Sequence, residues 1–146
     1  MNAMHAAQSA STPSRLRTYV VEDSSVIRDN LTETLEENAP VDVVGSAEDE
    51  ASAVAWLRDP GHACDVVIID IFLRAGNGLG VLKSLGEIQR PARRVVLSNH
   101  ATPEIRAKCA ELGADKVFDK SNEIDEMLGY LNRLGDPSAY SMPSSL

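Results

Sequence analysis

Five short runs of β-branched residues recur along the chain, most of them continuous rather than alternating: TYVVED (18–23), VDVVGSA (41–47), CDVVIID (64–70), RRVVLSN (93–99) and DKVFDK (115–120). A strand with one wet face alternates apolar and polar residues, whereas a continuous run suits a strand buried on both faces of a parallel sheet. Segments of helical period lie between the runs. Over 25–38, Ile27, Leu31 and Leu35 share one face; over 48–58, Ala51, Val54 and Leu57 recur at three-residue spacing, and Pro60-Gly61 stops the helix. Over 79–86, Leu82 and Leu85 face inward. Thr102-Pro103-Glu104 reads as an N-cap with proline at the first helical position, and Gly113 lies past the end. Ser121 is the expected cap of the last helix, whose inward stripe is Ile124, Met127, Leu128, Leu131 and Leu134. The order βαβαβαβαβα implies an α/β fold, a doubly wound parallel five-stranded sheet with helices on both faces.

A chain of 146 residues suits one domain, and with aromatics at only 4% its core must be aliphatic. The ends 1–14 and 135–146 are rich in Ala, Ser and Pro, so the expected division is a disordered tail over 1–14, a folded domain over 15–134 and a second disordered tail over 135–146. With 22 acidic and 14 basic residues the net charge is -8, which argues against a sequence-independent nucleic-acid binder. No segment approaches the length of a membrane span, and the N-terminus lacks the basic start and apolar run of a signal peptide. Cys64 and Cys109 have no metal-ligand spacing and read as free thiols in a reducing compartment, so the expected location is cytoplasmic.

Chemistry-bearing residues follow the apolar runs. The first run ends in Glu22-Asp23, the third in Asp70, the fourth in Ser98 and the fifth in Lys120. In an open α/β sheet all strand C-termini lie on one edge, where ligands bind. Three carboxylates brought together resist shared ionisation, and a hard divalent cation such as Mg2+ resolves that conflict. A lysine and a hydroxyl would contact the remaining oxygens of a phosphoryl group, and a carboxylate beside the metal could accept it as an aspartyl phosphate. Each residue has a blander reading. Glu22 and Asp23 could simply favour the first helix's dipole, and Ser98 and Lys120 alone would be ordinary loop residues. Asp70, between VVII and IFL, would otherwise be a costly buried charge. Gly76-x-Gly78-x-Gly80 lacks dinucleotide-loop spacing and follows the third strand, so it reads as a turn-forming loop.

With these residues in order, the chain from 15 to about 134 resembles the receiver domain of two-component response regulators. The motifs are VVEDSSVIR for the acidic pair, DVVIIDIFLRAGNGLGVL for the acceptor, VVLSNHA for the hydroxyl and GADKVFDKS for the lysine. The resemblance implies a flavodoxin-like (βα)5 fold with strand order 2-1-3-4-5. It implies Asp70 as phosphoacceptor, Asp23 as a direct Mg2+ ligand, Glu22 holding the ion through water, and the Phe72 carbonyl as a further ligand. It makes Lys120 the partner of the phosphoryl group, and Ser98 the hydroxyl that turns toward it after modification. The donor would be a phosphohistidine on a histidine kinase or phosphotransfer protein. The output would be protein contact through helices four and five and strand five, as a monomer or a phosphorylation-dependent dimer. Only self-catalysed phosphotransfer and autodephosphorylation are expected, not an enzyme acting on a separate substrate.

Three positions depart from the family pattern. Arg74 stands where proline is common, Val117 where an aromatic switch residue is usual, and Ser98 where Thr is commoner. Phe72 and His100 occupy the two positions that flank the path of attacking water, which predicts slow autodephosphorylation. Because the chain ends 12 residues after Leu134, a stand-alone regulator without an attached DNA-binding domain is expected. The alternative is a pseudo-receiver, a constitutive protein-binding module without phosphate turnover; it would lack the acceptor, a metal ligand or the lysine, and none is missing. A flavodoxin-like or nucleotide-binding enzyme would need a glycine loop after the first strand, where the chain reads EDSS.

Overall fold

The computed structural model describes residues 15–136. Strands β1 (Leu16–Val21), β2 (Val41–Ala47), β3 (Val66–Ile69), β4 (Arg93–Ser98) and β5 (Lys116–Asp119) alternate with helices α1 (Ser25–Asn38), α2 (Glu50–Arg58), α3 (Gly78–Glu87), α4 (Pro103–Glu111) and α5 (Ile124–Leu134). Every strand pair is parallel, and the order is β2-β1-β3-β4-β5. The tails expected at 1–14 and 135–146 lie outside the described residues, apart from Gly135 and Asp136. Among the described residues no helix is long and apolar enough to cross a membrane.

The continuous apolar runs do what a parallel sheet requires. All four residues of β3 are buried, and their side chains alternate between two cores. Val67 and Ile69 join Leu57, Leu82, Leu85 and Cys109 beneath α2, α3 and α4. Val66 and Ile68 join Leu31, Leu35, Met127 and Leu131 beneath α1 and α5. A fully buried aliphatic side chain of this size contributes about 2 kcal/mol, so the central strand alone anchors both layers. Side-chain oxygens of Ser24, Asp49, Asn77 and Thr102 accept backbone N–H groups at the starts of α1 to α4.

The β1–β2 register slips between Thr18 and Tyr19, leaving Val44 as a bulge residue that is largely exposed. Gly45 then lies under the Tyr19 ring, where a Cβ would stand 3.0 Å from Tyr19 Cε1 and 3.3 Å from the Trp56 indole nitrogen. Tyr19, Trp56 and His62 form a continuous stack, with centroids 4.0 and 4.3 Å apart.

Three expectations about helix faces need correction. The inner face of α2 is Ala53 and Leu57, with Ala51 exposed and Val54 only half-buried. Stacking of the large Trp56 ring on Tyr19 sets that rotation, and the small residues follow it. Ile27 is 42% exposed because it lies at the rim of the acidic edge rather than over the core. Ser121 does not cap α5. Its hydroxyl donates to Asp119 Oδ1 in the turn after β5, and the helix begins at Ile124 behind Glu123, without a side-chain cap.

Candidate functional site

Sheet hydrogen bonding continues one residue past three of the strands and thereby places the site. Glu22 N–H donates to the Ala47 carbonyl, Asp70 N–H to Val21 and Lys120 N–H to Ser98, each at 2.9 Å. The expected residues thus leave the same edge of the sheet with their backbones fixed. Glu22, Asp23, Asp70, Phe72 and Lys120 line one cleft of about 490 Å³, together with Ile27, Asn99 and His100.

Lys120 is the electrostatic centre of this cleft. Its ammonium lies 2.7 Å from Glu22 Oε1 and 3.1 Å from Asp70 Oδ2. Glu22 is 2% exposed and Asp70 7%. Burial pushes the Glu22 pKa above the usual carboxylate range, against the opposing pull of the Lys120 hydrogen bond. Burial also works against the Lys120 charge, yet the Glu22 hydrogen bond and the two carboxylate charges hold its pKa above the ordinary lysine value. Backbone donors take up other oxygens. Ser24 N–H donates to Glu22 Oε2 and Phe72 N–H to Asp70 Oδ1, both at 3.1 Å.

One carboxylate oxygen each from Glu22, Asp23 and Asp70 lies within 4.8 Å of the others. Three carboxylates against the Lys120 ammonium and the Arg74 guanidinium, which lies 3.4 Å from Asp23, leave one formal negative charge in the cluster. A compact set of oxygen donors with that residual charge fits a hard divalent cation such as Mg2+.

Ser98 sits apart from this group. It is fully buried at the end of β4, and its Oγ accepts the His100 N–H at 3.1 Å, so the hydroxyl is engaged by its own loop rather than lining the cleft. The Phe72 ring, half exposed, meets His100 edge-to-face with centroids 5.5 Å apart. Both residues line the cleft together with Asp70.

Three residues act on the site that the sequence did not single out for it. Arg74 donates its backbone N–H to Asp23 Oδ2 at 2.9 Å and brings its guanidinium Nε to 3.4 Å of the same oxygen. Glu50, the first residue of α2, grips the loop after β3: its N–H donates to the Ala75 carbonyl and its Oε1 accepts the Asn77 N–H at 2.8 Å. Gly76 and Gly80 pack so tightly on Glu50 that a Cβ at either would collide with it. Gly78 lies equally close to the Asp70 carbonyl. Gly76, with φ +86°, lies in the loop that the sequence reads as a turn, whereas Gly78 and Gly80 fall in the first turn of α3 and are packing contacts. Arg106 on α4 donates to the Ala101 and Val117 carbonyls and to Glu123 Oε1, at 3.0, 2.9 and 2.8 Å. Charge type and motif spacing carry no signal for these links, because each partner is supplied by the fold.

Comparison with known proteins agrees with the fold. Residues 18–132 match the response regulator receiver domain family. The chain is 28% identical over 116 residues to the transcriptional regulatory protein NarL of Mycobacterium tuberculosis, covering 80% of this chain and 53% of that protein. It is 35% identical over 109 residues to protein-glutamate methylesterase/protein-glutamine glutaminase 5 of Anaeromyxobacter dehalogenans, covering 72% of this chain and 29% of that protein. The chain thus spans about half the length of the first relative and under a third of the second. The NarL signal receiver domain superposes with a TM-score of 0.72 at 25% identity, covering 81% of this chain and 94% of that one. The response regulator domain of Thermotoga maritima CheB gives 0.69 at 24% identity, over 84% and 99%. With residues 18–132 matched and the five-stranded order in place, this chain belongs to the receiver domain family of response regulators.

Proposed function

We propose that Asp70 accepts a phosphoryl group, in a Mg2+-dependent reaction, from a phosphohistidine on a histidine kinase or phosphotransfer protein, and that the modification switches protein contacts. The observation that carries this reading is the shared ammonium: Lys120 bridges Asp70 and Glu22 in a cleft where three carboxylates converge. An Asp70 oxygen attacks phosphorus, the P–O bond forms as the P–N bond to the donor imidazole breaks, and the leaving imidazole keeps the electron pair. Glu22, Asp23, Asp70 and the Phe72 carbonyl would hold Mg2+, which when bound would neutralise the charge that develops on the transferring oxygens. Lys120 exchanges part of its contact with Asp70 for a phosphoryl oxygen, remaining anchored by Glu22. The Phe72 amide keeps the Asp70 carboxylate oriented for attack. Ser98 then releases the His100 N–H and turns its hydroxyl toward the phosphoryl group, drawing the loop after β4 with it. Output passes to a protein partner through α4, β5 and α5. The location that fits this chemistry is the cytoplasm.

The test is mass spectrometry after incubation of the full chain with a small phosphodonor such as acetyl phosphate, with and without Mg2+. One phosphoryl group is expected, dependent on Mg2+, and Asp70→Asn abolishes it while the circular-dichroism spectrum stays unchanged. Modification of the Asn variant at the unaltered rate overturns the assignment of Asp70. An unmodified native chain favours a constitutive binding module instead.

A further inference from the structure

We infer that Arg74 is a tethered cation that competes with the divalent ion for Asp23 and thereby weakens the affinity of the acidic cleft for Mg2+. The inference rests on the reading of that cleft as a Mg2+ site. Lys120 serves Glu22 and Asp70 but makes no ion pair with Asp23. The ion pair of Asp23 is with Arg74, whose backbone N–H and guanidinium converge on the single oxygen Oδ2. Asp23 itself is largely shielded, its side chain 17% exposed, whereas the Arg74 side chain is 83% exposed. The guanidinium therefore lies over the carboxylate from the solvent side.

Arg74 does not reach this place by chance collision. The loop that follows it is locked by Glu50 from both directions, through Ala75 and Asn77, and Gly76 is pressed against the same side chain. The Arg74 backbone is thereby aimed at Asp23, and the short tether gives its side chain a high effective concentration there. A guanidinium stays protonated at any working pH, so the competition is permanent. An ion that takes Asp23 must either displace the guanidinium or sit beside a like charge. Because the cation is exposed, the effect is modest: the pair corresponds to roughly a twofold to fivefold change in binding constant at low ionic strength.

The experiment is calorimetric titration of Mg2+ into the full chain, comparing the native protein with Arg74→Gln and Arg74→Lys. Arg74→Gln keeps the backbone N–H bond and loses only the charge, and its exposed position leaves the fold undisturbed. It is expected to bind Mg2+ roughly twofold to fivefold more tightly, while Arg74→Lys stays close to the native protein. The advantage of the Gln variant should shrink toward unity in about 1 M KCl, where the Debye length falls to about 3 Å. Equal or weaker binding by Arg74→Gln, with Mg2+ still bound by both, overturns the role of Arg74 and leaves the metal site standing. Binding by neither protein overturns the metal site and this inference together.

Discussion

At the scale of single residues, the site is a balance of charges set by burial. Glu22 and Asp70 are both shielded from solvent, and each depends on Lys120 for a counter-charge, while Asp23 depends on Arg74. The lifetime of an acyl phosphate at Asp70 depends on different groups, those that a water molecule must pass. Phe72 and His100 form an edge-to-face pair in the lining of the cleft, and neither side chain supplies a carboxylate or amide that could position water for in-line attack. Slow autodephosphorylation is the expected behaviour. Phe72→Asn removes one ring and adds an amide, and should speed decay of the phosphoprotein about fivefold to tenfold, a barrier change of about 1 kcal/mol. Decay of the phosphorylated chain in Mg2+ after removal of the phosphodonor, followed by intact mass, checks this, and an unchanged or slower rate would count against it.

At the scale of elements, the question is how a change at Ser98 reaches the surface. Val117 is aliphatic and stiff at χ1, and it packs with the core beneath α2, α3 and α4. The Phe118 ring points to the other side, into the core beneath α1 and α5 and near Tyr130. Neither can act as an aromatic switch that exchanges buried for exposed positions. Arg106 offers another route, since it fastens the start of α4 to the Ala101 carbonyl, to the backbone of β5 and to Glu123 before α5. Movement of the loop after Ser98 would pull on all three. Beryllofluoride added with Mg2+ should therefore shift the amide resonances of 98–106 more than those of 115–119. Arg106→Ala should leave the shifts at 98–100 in place and diminish those near Glu123, at a stability cost of about 1 kcal/mol. Shifts centred on 115–119 with 98–106 silent would sink this route.

At the scale of the whole molecule, the fold was legible because its strands declare themselves. VVII can be buried on both faces only inside a sheet, and β3 is indeed the central strand with all four residues buried. The acidic pair, Asp70 and Lys120 were legible for a related reason: each directly follows a strand, so knowing the strands places them on one edge. What the sequence withheld depends on contacts between distant segments. The rotation of α2 follows from a Tyr19–Trp56 stack, the late start of α5 from the turn held by Asp119, and the Arg74–Asp23 pair joins residues 51 apart. The glycines after β3 belong to the same class, and Gly78 is the sharpest case. A Cβ there would collide with the Asp70 carbonyl and stand 2.7 Å from Ile71 Cα. Gly78→Ala should cost about 2 kcal/mol by overpacking, read as a lower urea midpoint. A genetic screen that scores only signalling would then rank Gly78 beside Asp70 as equally intolerant. Scoring cellular abundance in parallel would part them: loss at Gly78 would come with loss of protein, and loss at Asp70 would leave a full complement of inert protein.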